Sequence, residues 1–222
     1  MTDKHTDQES ERARMATVVL LAVLASSGCA AQLSTDRLAD ATSRQCEIGV
    51  DSGDLAMDEA AMLAIIEESG RKIVTRKRGE GYTVLPRRVL FPRNYDERSA
   101  ESKVSSLEHE LVHVCQQGEA RVVWVIDYGV DPDFRLEVEV GGIVAQAARI
   151  CSLGGDGEAL IRRQVGRLPD VHRVKVDEQW SGAVLIPAMV QAACPDVALS
   201  TSAGHSAGAD AGSDAGSGDS DD

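Results

Sequence analysis

Residues 102–117, Ser-Lys-Val-Ser-Ser-Leu-Glu-His-Glu-Leu-Val-His-Val-Cys-Gln-Gln, read as one amphipathic helix. Val104, Leu107, Leu111 and Val114 recur at spacings of three and four, the stripe of a helix with one face turned to a core. Gly118 follows as a stop. Inside this helix lies His109-Glu110-Leu111-Val112-His113. Residues four apart on a helix share a face, so both imidazoles can approach one metal ion. Glu110 projects beside that row, where it can take a proton from a metal-activated water. Zinc brings the pKa of such a water toward roughly 7, which makes hydroxide available at neutral pH. The competing reading is a helix carrying two incidental histidines. The whole chain holds only five His, and two of them fall at this spacing around a Glu.

A catalytic zinc site takes three protein ligands and keeps one position open. No HxxGxxH extension follows the motif: His113 is succeeded by Val114-Cys115-Gln116-Gln117-Gly118, with Gln116 where the glycine would stand. The third ligand therefore comes from elsewhere, and Glu137 and Glu139 open the next strong helical pattern, FRLEVEVGGIVAQAARIC at 134–151. Residues two apart point about 200° apart on a helix, so at most one of them is the ligand. Both also suit the positive N-terminal end of a helix without any metal. Gln116 is placed to hold a ligand imidazole by its other ring nitrogen, or else to face solvent.

His109-Glu110-Leu111-Val112-His113-Val114, then Gln116, then Leu136-Glu137-Val138-Glu139 resembles the gluzincin branch of the zincins. More closely it is similar to small bacterial HExxH zinc metallopeptidase-like domains with HELxHVxQ, a spacer and a Glu-x-Glu-Ala helix. The strand and proline before the motif, Val89-Leu90-Phe91-Pro92-Arg93, fit that layout, and the resemblance spans about residues 82–150. It implies a zincin-like domain with Zn2+ held by His109, His113 and a Glu beginning a Glu-x-x-Ala/Asp pattern. That pattern maps onto Glu137, with Val140 where Ala is usual and Gly141 where Asp can stand. Glu139 is the alternative metal ligand, with Gly142 at the small position three residues on. The resemblance also implies a Tyr or His that stabilises an oxyanion, for which Tyr128 and His172 are the candidates.

Around the motif, LAMDEAAMLAIIEES at 55–69 places Leu55, Met62, Ile65 and Ile66 on one helical face, closed by Gly70. Lys72–Thr75 and Tyr82–Leu85 read as strands about the turn Arg78-Gly79-Glu80-Gly81, with Arg88–Phe91 a third strand ended by Pro92. The stretch Val122–Ile126 suits helix or strand equally. Residues 157–168 and 177–193 read as helices. Strands followed by helices, without βαβ alternation, make the fold class α+β: a short antiparallel sheet, then the HExxH helix and a second ligand-bearing helix.

Apolar residues form 43 % of the 222, enough for a sizeable core, while aromatics form only 3 %, so Leu, Ile, Val and Ala must fill it. A net charge of −13 lacks the basic footprint expected of a nucleic-acid binder. Residues 1–28 read as a signal peptide: Arg12 and Arg14 precede the apolar run 16–25, which as a helix rises about 15 Å, half a bilayer core. The end Leu24-Ala25-Ser26-Ser27-Gly28-Cys29 resembles a bacterial lipobox and marks Cys29 for lipidation, although Ser26 stands where Leu is usual. Residues 29–54 read as a linker, 55–198 as the metallopeptidase-like domain, and 199–222 as a disordered acidic Ser/Ala/Gly/Asp tail. Past Cys29 four Cys remain (Cys46, Cys115, Cys151, Cys194), an even number that permits two disulfides in three connectivities or else four buried thiols.

The expectation is an exported peptidase, in the periplasm, on the cell surface or outside the cell, that hydrolyses peptide bonds with Glu110 as general base. Its partners are a peptide or protein substrate and, through Cys29, a membrane; no spanning helix is expected in the mature chain. The alternative is a non-catalytic cell-surface lipoprotein or binding module with a degenerate or structural metal site. Retention of Glu110 favours catalysis, since a purely structural site needs no base.

Overall fold

The computed structural model describes residues 30–43, 50–79, 81–118 and 121–195. The signal peptide, Cys29, Cys46 and the tail 199–222 lie outside these residues.

The described elements run α1 (Thr35–Ser43), α2 (Leu55–Glu68), β1 (Lys72–Thr75), β2 (Thr83–Leu85), β3 (Arg88–Phe91), α3 (Ala100–Gln117), α4 (Arg121–Val130), α5 (Pro132–Ser152) and α6 (Gly157–Val171). A single turn at Glu178–Trp180 and a π-helical turn at Ser181–Leu185 then lead into α7 (Ile186–Ala193). The class is α+β, mostly helical. Local signals account for the boundaries. Ser99 accepts the Ser102 N–H at the start of α3, and Asp131 accepts from Asp133 and Phe134 at the start of α5, where Pro132 fills the first turn. Val122–Ile126, ambiguous in sequence, belongs to helix α4.

The sheet is mixed, not antiparallel. Pro86-Arg87 links β2 to β3 as a tight antiparallel pair, Val84 opposite Val89. That leaves the other edge of β3 for β1, which lies parallel to it with Ile73 opposite Val89, so the order is β1-β3-β2. The segment expected as a linker also does more than connect. Ala31, Leu33, Leu38 and Ala41 are buried in the core, and Ala31 donates its N–H to Lys175 O at 2.7 Å.

Two apolar clusters result. One gathers Leu136, Val140, Val144, Ile161, Leu168, Leu185 and Met189 around α5, roofed by α1, α6 and α7. The other joins Met62, Ile66, Val89, Phe91, Leu107 and Leu111 between α2, the sheet and α3. Helix α3 is the seam. The predicted stripe Val104, Leu107, Leu111, Val114 is buried against α2 and the sheet, and the opposite face, with both histidines, meets α5. Helix α5 is buried nearly all round from Arg135 to Ala147, which explains why its pattern reads as almost continuously apolar. Near its end, Arg149 donates to the buried Asp58 of α2 and pairs with Asp51 at 3.1 Å, tying the clusters together. A disulfide joins Cys151 to Cys194, and Cys115 is disulfide-bonded as well. Among the described residues no helix is long and apolar enough to cross a membrane.

Candidate metal centre

Helix α3 presents His109 and His113 one turn apart, with Nε2 atoms 2.9 Å from each other. From α5, Glu139 completes the cluster: its Oε2 lies 3.5 Å from His109 Nε2 and 3.9 Å from His113 Nε2. His113 and Glu139 are buried and the His109 side chain nearly so, and among the described residues the three form the one group of His, Cys, Asp and Glu whose ligand atoms converge closely enough for a metal ion. Glu137, the ligand expected from the resemblance, is not among them. Two residues earlier on the same helix, it faces α1 and accepts from Arg37 at 2.9 and 3.0 Å. The alternative, Glu139, occupies the position, and Gly142 stands three residues on as that alternative required.

The donor set suits a cation. Gln116 Oε1 accepts from His113 Nδ1 at 3.1 Å, which puts the proton on Nδ1 and leaves the Nε2 lone pair facing the cluster. On Glu139 the two oxygens have different company. Oε1 accepts from Tyr128 Oη at 2.5 Å and from His172 Nδ1 at 3.0 Å. Oε2 is buried with no hydrogen-bond donor and points at the two imidazoles. A buried carboxylate oxygen without a donor is costly, and a cation between it and two imidazole lone pairs would relieve that cost. Burial pushes the Glu139 carboxyl upward, but His109, His113 and His172 outweigh it and hold it well below the usual range. Burial lowers the His113 pKa, which favours the neutral ring, the form that ligates a metal.

Glu110 lines the adjoining cavity, which has a volume of about 480 Å³. Burial pushes its carboxyl up to about 7. The cavity walls are Gly81, Tyr82, Arg98 and Ser106 on the side of the sheet and α3, and Gln146, Gln164, Arg167, Val171 and His172 on the side of α5 and α6, with His109 at the back.

Spacing alone could not place Tyr128 or His172, yet the fold brings both to Glu139. Arg135 is the reason. Its guanidinium donates to Tyr128 O at 2.7 Å, Gly129 O at 2.7 Å and His172 O at 3.0 Å, so one buried side chain clamps the end of α4 to the end of α6. Trp124 stacks on Tyr128 with centroids 5.1 Å apart and approaches the His113 ring at 6.3 Å. It walls the site rather than simply filling the core. Cys115 takes no part in the metal cluster.

Gly142 was visible in sequence only as a small residue. A Cβ built there would lie 2.8 Å from His109 Cε1 and Nε2, and one at Gly141 would lie 3.0 Å from Gln116 Nε2. The two glycines let α5 approach α3 closely enough for Glu139 to reach both imidazoles. Compared with protein-family models, with curated proteins and with solved structures, the chain matches none.

Proposed function

We propose that this chain is an exported zinc-dependent peptidase, with His109, His113 and Glu139 as metal ligands and Glu110 as the general base. One observation carries the reading. Two imidazole nitrogens and a donor-less carboxylate oxygen converge beside a buried Glu, at the back of an open cavity. Two nitrogens and one oxygen form a donor set that zinc favours, and three protein ligands are the number found in catalytic sites. A zinc ion held there supplies Lewis acidity toward a peptide carbonyl and toward water. Glu110, buried beside the cluster, takes the proton from the attacking water on its carboxylate and returns it to the leaving nitrogen. Gln116 fixes the His113 ring, and Tyr128 and His172 fix Glu139 through Oε1, so these two ligands are preorganised. His172 also borders the cavity, where its ring is available to a developing oxyanion.

The test is elemental analysis of the purified full chain together with hydrolysis of quenched fluorescent peptides. About one zinc per chain is expected, lost in His113→Ala and Glu139→Ala and kept in Glu137→Ala. Glu110→Gln should keep the metal and lose hydrolysis. A folded wild-type chain that takes up no zinc when zinc is offered would sink the proposal. Export is checked separately: Cys29→Ala should move the protein out of the membrane fraction, and an unchanged distribution would remove the lipid anchor.

A further inference from the structure

The cavity beside the metal cluster runs against the charge of the molecule. The chain carries 36 acidic against 23 basic side chains, yet among the described residues lining this cavity are two arginines, Arg98 and Arg167, and one carboxylate, Glu110. Arg98 is half-buried, its guanidinium 5.3 Å from the Tyr82 ring centroid, an arrangement that holds the charge at the cavity wall. Arg167 is exposed on α6. It shares a face with Gln164 and Val171, at spacings of three and four, while Leu160, Ile161, Val165 and Leu168 bury the other face. Gln164 Nε2 donates to Gln146 Oε1 at 3.3 Å, and this amide pair continues the polar lining toward His109.

We infer that this cavity selects substrates by a carboxylate close to the scissile bond, received by Arg167. The inference rests on the peptidase reading and adds the substrate class. A planar guanidinium matches a carboxylate with two parallel hydrogen bonds, and a carboxylate is the anion that unmodified peptides carry. The overall acidity of the chain repels such a group at long range, so selection falls to Arg167 at short range, inside a Debye length. The carboxylate has two sources, an Asp or Glu side chain and the free C-terminus of the substrate.

The experiment uses N-acetylated alanine-rich peptides carrying one Glu or one Gln at the same position, each with a free or an amidated C-terminus. Binding is read by competition on the zinc-loaded Glu110→Gln chain, and cleavage by mass spectrometry with wild type. The carboxylate-bearing member should be favoured by about tenfold, the scale of one charge-assisted hydrogen bond at a partly exposed site. Arg167→Glu should bring that ratio to one or below, with Arg167→Gln intermediate. A Glu preference that survives amidation assigns the side chain, and a preference lost on amidation assigns the C-terminus. Equal binding of all four peptides, or a preference that Arg167→Glu leaves unchanged, overturns the inference even if every peptide is cut. A binding preference without any cleavage by wild type supports this inference and sinks the peptidase reading instead.

Discussion

Substitution of Gly142 by Ala isolates the role of close helix approach in the metal centre. The added methyl would sit 2.8 Å from His109 Cε1 and Nε2 and 3.0 Å from Cδ2, against an ordinary carbon contact of about 3.5 Å or more. The His109 ring must therefore move by roughly 0.7 Å, and metal–ligand distances tolerate only about 0.2 Å. Two opposing effects act on the metal-free fold. Removing a mid-helix glycine favours α5 by about 1 kcal/mol, and overpacking costs about 1–3 kcal/mol. The net loss is at most about 2 kcal/mol, or roughly 4–8 °C in Tm for a chain of this size. The zinc effect is larger in proportion: a displaced ligand should cost at least about tenfold in affinity. Competition with a chromophoric chelator measures that affinity, and melts in chelator measure the fold. Gly141→Ala is the comparison, since its Cβ meets Gln116 Nε2 at 3.0 Å and not the His109 ring, so a loss of affinity there comes through the Gln116–His113 hydrogen bond. A Gly142→Ala chain that binds zinc as tightly as wild type would refute the argument.

Three further substitutions test the scaffold. Gly157→Ala places a methyl 2.6 Å from Cys194 Sγ and 2.9 Å from Ala147 O, closer still to Cys151 Sγ, none of which can rotate away; a loss of about 3 kcal/mol in urea unfolding is expected, and wild-type stability would contradict it. Arg135→Lys keeps the charge but cannot span the three carbonyls, so on the order of 3 kcal/mol should go, together with the link from α4 to α6; an unchanged Tm would show that the clamp is dispensable. At Asp58, burial raises the carboxyl pKa, but hydrogen bonds from Ser52 and Arg149 outweigh it and hold the group below its ordinary 3.8. The folded state then binds fewer protons than the unfolded chain, so this increment is full above the unfolded value and is lost as pH falls through the folded one. Asp58→Asn should flatten the fall of Tm below about pH 4; equal slopes would remove Asp58 from the acid response.

Much of this architecture was legible because it is local. The α3 stripe, the HExxH spacing, the Asp131-Pro132 start of α5 and the Gly70 stop of α2 are settled within a turn or two of helix. Gly70 has φ 76 and donates to Glu67 O, as a helix stop of that kind requires. The misreadings concern partners far along the chain. Nothing near Lys72–Thr75 states that β3 will separate it from β2, since a parallel pairing depends on the path between strands. The segment 30–43 looked like a linker because its few apolar residues, Ala31, Leu33, Leu38 and Ala41, form no strong pattern. Their burial depends on α5 and α6 being in place.

The choice between Glu137 and Glu139 shows where the missing information resided. Both lie in the same turn of α5, and composition treats them alike. Their surroundings do not, because Glu137 has Arg37 from α1 in front of it while Glu139 faces α3. What turns Glu139 toward the histidines is the contact face of α5, and that face is marked by Gly142, the residue whose missing side chain admits His109. Residues three apart on a helix share a side, so a ligand on the face that Gly142 opens must be Glu139, and Glu137 is left for the outer contact. Gly142 therefore sets both the close approach of the two helices at His109 and the carboxylate that faces the histidines. A sequence with alanine at 142 would hold α5 farther from the His109 ring, and the Glu139 carboxylate would fall short of the His109–His113 pair.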